Sequence, residues 1–136
     1  MLKWKAEYSV KISQLDNQHK EFFGILDELS EASSDGDELD IDYIMAKLDV
    51  YALYHFTCEE HYMEKYGYPD FEKHKKEHDE YKSKLEVLKS HRSEKRLKFA
   101  KEAQSFLEQW WINHIQKTDI EYSPFLADRV RHIPFN

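Results

Sequence analysis

The amino-acid sequence predicts an all-α protein: an up-down-up-down four-helix bundle with an extended N-terminal arm and a short C-terminal helix. Four long stretches place apolar residues at every third or fourth position, the spacing that fills one face of an α-helix. Only 3 glycines and 3 prolines interrupt the 136 residues. The polar stretches between the helices are short, and short connections make successive helices antiparallel neighbours. We therefore expect one domain, residues 1–136.

The arm and the helix ends are assigned from capping signals. Residues 1–15 have no long helical stripe and form the predicted arm, and Asp16 is the predicted N-cap of the first helix. Asp40 is predicted to cap the second helix, which should end at Gly67. The predicted starts of the later elements are Asp70 for the third helix, Ser93 for the fourth and Pro124 for the short C-terminal one.

Composition restricts the partners and the compartment. A formal net charge of −7 and a pI of about 5.6 argue against a nucleic acid or an anionic membrane as the main partner. No apolar run is long enough to span a membrane, and residues 1–10 lack the apolar centre of a secretory signal. A single cysteine, Cys58, fits a reducing compartment, so a cytoplasmic location is expected. The acidic surface and the lack of an evident apolar patch favour a monomer.

Six polar side chains occupy helix positions where the spacing calls for an apolar residue. They are His19, His55, Glu59, His74, His78 and His114. A single such histidine would more often be a hydrogen-bonded core residue than a metal ligand. Six of them all need partners, because each unpaired buried polar group costs about 1–3 kcal/mol. In an alternating bundle all six fall at the same end, so a metal site is predicted there.

Asp119 is a seventh candidate that the helical spacing does not favour. It follows His114 by five residues, about 140° away around an ideal α-helix. Both can face one site only if the fourth helix ends or loosens near residues 117–118. An aspartate at such a position, considered by itself, is more often the N-cap of the following segment. Its prediction as a ligand therefore depends on the presence of the other six candidates.

The donor set restricts the metal. Five imidazoles and two carboxylates exceed the four ligands of a tetrahedral zinc site and suit two octahedral ions bridged by the carboxylates. Nitrogen donors mixed with oxygen favour iron over manganese or zinc. The Glu-x-x-His pairs of ferritin-like di-iron proteins are absent, because no glutamate has a histidine three residues later.

These residues lie in motifs through which nearly the whole chain resembles the hemerythrin family, in particular its single-domain bacterial members. The motifs are Trp4 with Tyr8-Ser9-Val10, Leu15-Asp16-x-Gln18-His19, His55-Phe56-x-x-Glu59-Glu60-x-x-Met63, Tyr68-Pro69, His74-x-x-x-His78 and Trp110-x-x-x-His114-Ile115-x-x-x-Asp119. A fragment such as His-x-x-x-His is weak by itself. The ordered set of seven candidate ligands is specific.

The resemblance implies two iron ions (Fe²⁺/Fe³⁺) with an oxo or hydroxo bridge, and O₂ as the ligand. It assigns His74, His78 and His114 to one iron, His19 and His55 to the other, and Glu59 and Asp119 to both as bridges. The vacant position falls on the two-histidine iron, where O₂ would bind with reversible two-electron transfer.

A candidate O₂ pocket follows from the residues next to the ligands. It comprises Phe22, Phe23, Phe56, Trp111 and Ile115. Taken one at a time, each of these residues is explained equally well by ordinary core packing. The family usually has a leucine at the position of Trp111. A bulkier wall there would either narrow O₂ access or slow autoxidation, and both interpretations stay open.

Several neighbouring residues are predicted to stay outside the site. His61, His91 and His132 are off the helical stripes, Cys58 is read as inert packing, and Glu60 and Glu77 are read as surface charges. Tyr122 is read either as a hydrogen-bond donor to a ligand or as packing.

Four functions are compatible with these features. The first is a non-enzymatic O₂ carrier or store, with an oxygen-consuming enzyme as its partner. The alternatives are an O₂- or redox-sensing module, a di-iron oxidase or peroxidase, and a metal-free structural bundle. An oxidase would need acid–base groups beside the open position, and no further inward carboxylate or histidine is evident in the sequence.

Overall fold

The computed structural model of the protein describes residues 3–36, 38–90 and 96–130, in which every regular element is helical. The elements are a 3₁₀ turn at Ala6–Tyr8, α1 at Ser13–Asp35, α2 at Glu38–Tyr66, α3 at Phe71–Lys89, α4 at Arg96–Asn113, a π-helix at His114–Asp119 and α5 at Ile120–Val130. Helix α1 packs against α2 and α4, and α3 packs against the same two helices. The predicted four-helix bundle with an N-terminal arm and a C-terminal helix is confirmed.

The predicted N-caps of the first two helices are wrong. Helix α1 begins at Ser13 and α2 at Glu38, so Asp16 and Asp40 lie inside the first turns. Asp16 instead ties the arm to α1: its carboxylate accepts hydrogen bonds from the Ser9 hydroxyl at 2.6 Å and from the Val10 N–H at 2.8 Å. These bonds to the preceding arm take the place of the predicted capping role.

The turn between α2 and α3 is a Schellman motif, as the Gly67 prediction implies. Gly67 has a φ of 69°, and its N–H donates to the Glu64 carbonyl at 3.3 Å. The N–H of Tyr68 donates to the Met63 carbonyl at 2.8 Å. Helix α3 then begins directly after Asp70, as predicted. The short turn places the end of α2 beside the start of α3. The predicted cap Ser93 lies outside the described residues.

The C-terminal helix begins earlier than predicted. Pro124 lies inside α5, and α5 continues from α4 through the π-helix without a break. The Ser123 hydroxyl donates to the Val10 carbonyl at 2.7 Å, which attaches α5 to the N-terminal arm.

Two hydrophobic clusters form the core. The larger one lies within the four-helix bundle and includes Phe56, while the smaller one joins the arm, the end of α2 and α5 and includes Met63. Glu59 lies between these two α2 residues and belongs to neither cluster. A layer of buried polar side chains therefore separates the two apolar clusters.

Candidate metal centre

All seven predicted ligands are buried. Their side chains are at most 2% exposed: His19, His55, Glu59, His74, His78, His114 and Asp119. Burial of two carboxylates with five imidazoles is costly unless the groups satisfy each other or bind a common partner. Seven such residues buried in one small protein therefore need shared partners.

The seven side chains form two overlapping groups. Within each group one nitrogen or oxygen atom per residue lies within 4.8 Å of all the others. One group consists of Glu59, His74, His78, His114 and Asp119, and the other of His19, His55, Glu59 and Asp119. The groups share only the two carboxylates. A pair of ions sharing two bridging carboxylates needs this arrangement of donors.

Asp119 lies between the two groups of histidines. Its Oδ1 atom is 2.9 Å from Nε2 of His114 and 3.1 Å from Nε2 of His74. Its Oδ2 atom is 3.1 Å from Nε2 of His19 on the other side. Each carboxylate oxygen thus faces a different group of imidazoles.

Glu59 also contacts both groups, but through one oxygen. Its Oε1 atom is 3.2 Å from Nε2 of His78 and 3.3 Å from Nε2 of His55. Its Oε2 atom accepts a hydrogen bond from the Tyr122 hydroxyl at 2.6 Å. Of the two interpretations of Tyr122, the structure therefore shows the hydrogen-bond donor.

A π-helix brings His114 and Asp119 to the same face. Of the two predicted possibilities, that the fourth helix ends or loosens near residues 117–118, the structure shows the second, since the helix widens over residues 114–119 and continues. In a π-helix the backbone bonds join residues five apart, so residues at this spacing stack nearly one above the other. Asp119 accordingly is not an N-cap.

Three of the imidazoles are oriented by acceptors outside the cluster. The Nδ1–H of His55 donates to Gln18 Oε1 at 2.6 Å, that of His78 to Glu60 at 2.8 Å, and that of His114 to Glu77 at 2.6 Å. With Nδ1 protonated, the ring turns its Nε2 atom toward the cluster. Such partners fix the tautomer and raise the basicity of a metal-binding histidine.

Glu60 and Glu77 hydrogen-bond to two of the proposed ligands, and the sequence prediction missed both contacts. Both read as surface charges because neither occupies an inward stripe, and both pair with a histidine of another helix. The Thr118 hydroxyl also donates to Glu77 at 2.8 Å, which links α3 to the π-helix. Only the packing of the helices reveals these pairs.

Opposite charges shift the pKa values of several buried groups in the metal-free cluster. Burial acts to raise the pKa of Asp119, but the charge of His114 beside it outweighs burial and holds that pKa well below its usual range. Burial acts to lower the pKa of His114, but Asp119 and Glu77 raise it to about 10. The same competition raises the pKa of His78, which lies beside Glu59 and bonds to Glu60, whereas burial prevails at His55 and lowers its pKa.

Hydrogen bonds within the protein do not satisfy the whole cluster. In the described residues, 11 buried side-chain nitrogen and oxygen atoms have no hydrogen-bond partner, and 8 of them belong to His19, His55, Glu59, His74 and Asp119. Native proteins rarely leave such atoms unpaired unless they bind a metal, a water or a ligand. The donor types, their number and their convergence fit two metal ions.

Aromatic side chains pack against histidines of both groups. The Trp111 ring lies 4.0 Å from Phe22 and 5.7 Å from His55, measured between ring centroids. Phe56 stacks on His78 at 3.9 Å. Phe22, Phe23, Phe56, Trp111 and Ile115 are all buried. All five belong to the larger hydrophobic cluster, and we call them the apolar wall; their role as an O₂ pocket stays a prediction.

The fold and the site together define a helical-bundle protein with a carboxylate-bridged, histidine-rich site for two metal ions. The family model for the hemerythrin HHE cation binding domain matches residues 10–126, and the chain belongs to the hemerythrin family. The predicted resemblance is confirmed. Members of this family bind O₂ at a non-haem di-iron site.

Relatives and solved structures agree with this assignment. A bacteriohemerythrin from Methylococcus capsulatus is 30% identical over 128 residues, covering 93% of this chain and 98% of its own. A myohemerythrin from Theromyzon tessulatum is 33% identical and covers 88% of each chain. The crystal structure of a wild-type hemerythrin superposes with a TM-score of 0.81 at 30% identity, covering 93% of this chain and 98% of its own. Among the described residues, no helix is both long and apolar enough to cross a membrane.

Proposed function

We propose that the protein binds O₂ reversibly at a di-iron centre and stores or carries it for delivery to oxygen-requiring enzymes, without catalysing a reaction of its own. The observation that carries this proposal is the pair of buried donor groups that share Glu59 and Asp119. Membership of the hemerythrin family supports iron as the metal and O₂ as the ligand. The single cysteine, Cys58, is free and suits a reducing cytoplasm.

The proposed ligands divide between the two irons, which also share an oxo or hydroxo bridge. His74, His78 and His114 would hold one iron, His19 and His55 the other, and Glu59 and Asp119 would bridge them. The two-histidine iron has one protein nitrogen fewer, so it would be the iron left open to O₂. When bound, the two irons supply the two electrons that O₂ takes up.

The protein's own contribution is to hold the ligands rigidly and to exclude water. Gln18, Glu60 and Glu77 orient three of the imidazoles, and Tyr122 holds one oxygen of Glu59. The apolar wall keeps water and external reductants from the open side.

Iron loading and optical spectroscopy test the proposal. We expect two irons per chain and a visible absorption band that appears when O₂ is admitted to the reduced protein and disappears when O₂ is removed. Irreversible bleaching with release of hydrogen peroxide would favour an oxidase. Fewer than two irons per chain would contradict the di-iron assignment.

A matched pair of variants tests the iron position that we propose is open to O₂. His55→Ala removes a proposed ligand of the open iron and should abolish O₂ binding. His61→Ala changes an exposed histidine of the same helix and should leave O₂ binding intact. Loss of binding in both variants would overturn the ligand assignment.

A further inference from the structure

The outward face of α2 is apolar. Among the described residues six large hydrophobic side chains are exposed, and five of them lie on this helix: Leu39 at 80%, Tyr43 at 66%, Val50 at 71%, Leu53 at 57% and Tyr54 at 50%. Together with the exposed Ala46 they form what we call the α2 outer face. Contiguous exposed apolar surface of this kind usually marks an interaction site. The expectation of a monomer depended on the lack of such a patch.

The spacing along the α2 outer face is nearly symmetric about Ala46. Leu39 and Leu53 lie seven residues to either side, and Tyr43 and Val50 lie three and four residues away. If a second copy of the helix lies antiparallel on the first, Leu39 faces Leu53 and Tyr43 faces Val50. Ala46 then faces itself across the two-fold axis, where its small side chain lets the helices approach closely. An isologous contact requires this self-complementarity.

Two charged residues beside the face are already paired within the chain. Lys47 lies next to Ala46 and pairs with Glu28 of the same chain at 3.2 Å. Asp49 on the other edge pairs with Lys89. These charges are balanced within one chain, so a second copy would not bring isolated charges together.

The apolar face is also limited in length. Past Tyr54 the same side of α2 presents Thr57, His61 and Glu64, all exposed and polar. Between Leu39 and Leu53 the apolar positions are centred on Ala46.

We infer that the α2 outer face binds the same face of a second copy, forming an antiparallel, two-fold symmetric dimer. One helix pair buries less than the roughly 800 Å² per partner of a standard interface, so the dimer should be weak and depend on concentration. The inward face of α2 carries His55 and Glu59, so the dimer would leave the metal site undisturbed. The inference does not depend on the proposed function.

Analytical ultracentrifugation of the iron-loaded protein tests the association. Between about 10 µM and about 1 mM the mean mass should rise from that of a monomer toward that of a dimer. Val50→Glu should weaken dimerisation at least tenfold, while Val87→Glu, which alters the exposed hydrophobic residue of α3, should not. A monomer over the whole range, or equal weakening by both variants, would overturn the inference.

Cross-linking tests the orientation. In a Cys58→Ser background, Ala46→Cys should form a disulfide-linked dimer on oxidation, because the two copies of this position meet at the axis. Thr57→Cys lies on the same side of α2, but an antiparallel pair separates its two copies. A parallel pair would cross-link both variants, and cross-linking of Thr57→Cys to the same extent would overturn the antiparallel arrangement.

Discussion

Asp119 Oδ1 lies 2.9 Å from Nε2 of His114, although the two residues are five positions apart in one continuous helix. In an α-helix they would point about 140° away from each other. The π-helix at His114–Asp119 removes this difference. The proposed metal site therefore depends on a single irregular turn, as is frequent for π-helical segments at functional sites.

Asp119→Asn tests the bridging role of that carboxylate. The amide keeps the size of the side chain but loses the negative charge and one of the two oxygens that face different groups of imidazoles. We expect the iron content to fall from two ions per chain to one or fewer, measured by elemental analysis of the reconstituted protein. Glu121→Gln removes an exposed carboxylate two residues later and should retain both ions. Full iron content in Asp119→Asn would contradict a bridge.

The sequence predicted what depends on helical periodicity. His55, His74 and His78 sit on inward stripes, and a bundle of alternating helices must bring such stripes together. What it left uncertain depends on packing between helices or on irregular backbone. Glu77 of α3 accepts a hydrogen bond from His114 of the π-helix, a contact between different helices. The position of Asp119 requires that π-helix, which the spacing of apolar residues does not predict.

Errors at the helix ends have a similar cause. Asp16 and Asp40 are good N-cap residues by type, but the helices begin earlier than either aspartate. The carboxylate of Asp16 bonds to the folded-back arm, a partner that local sequence does not specify. Local propensity is therefore a weak guide wherever tertiary hydrogen bonds compete with it.

Glu77→Gln tests the acceptor behind His114. Its carboxylate accepts from Nδ1 of His114 at 2.6 Å, and the hydrogen bonds from His114 and Thr118 help to lower the pKa of Glu77 although burial opposes them. A neutral amide would make the imidazole a weaker donor to the metal. We expect a loss of about 10- to 100-fold in iron affinity, measured by competition with a chelator. Glu80→Gln, an exposed residue of the same helix, is the control and should bind iron normally.

Trp111→Leu tests the apolar wall. The indole is fully buried between Phe22 and Phe56 and lies beside His55. A smaller side chain should open space on the two-histidine side and speed the binding of small ligands at least tenfold. The cavity should also destabilise the fold by about 1–3 kcal/mol. Stopped-flow mixing of azide with the diferric protein measures the rate.

The neighbouring indole offers a control for that rate. Trp110 stacks on His114 at 4.4 Å, on the side of the three-histidine group. Trp110→Leu removes a side chain of the same size and should leave the azide association rate unchanged. An equal acceleration in both variants would point to general loosening of the bundle instead of a specific wall at Trp111.

The stability of the iron-free protein should fall as the pH rises from about 6.5 to about 10. Burial opposes the charged form of His114, but Asp119 and Glu77 raise its pKa from 6.5 to about 10. A histidine whose pKa is higher in the folded than in the unfolded protein stabilises the fold fully at a pH below its unfolded-state pKa. This stabilisation is lost as the pH rises to its folded-state pKa. Asp119 has a lowered pKa and stays ionised throughout this range, so it takes up no proton that would change the slope.

Urea unfolding of the iron-free protein at intervals between pH 6 and pH 10 measures this loss, which should be on the order of a few kcal/mol. His114→Gln cannot hold the proton and should show a flatter dependence, with a remaining slope from His78, whose pKa is also raised. His61→Gln should behave like the unmodified chain because His61 is exposed. Bound iron would take the place of the proton on the imidazole, so the stability of the iron-loaded protein should not depend on pH in this way. A stability that is constant or rises with pH in the iron-free protein would show that His114 does not carry the proton there.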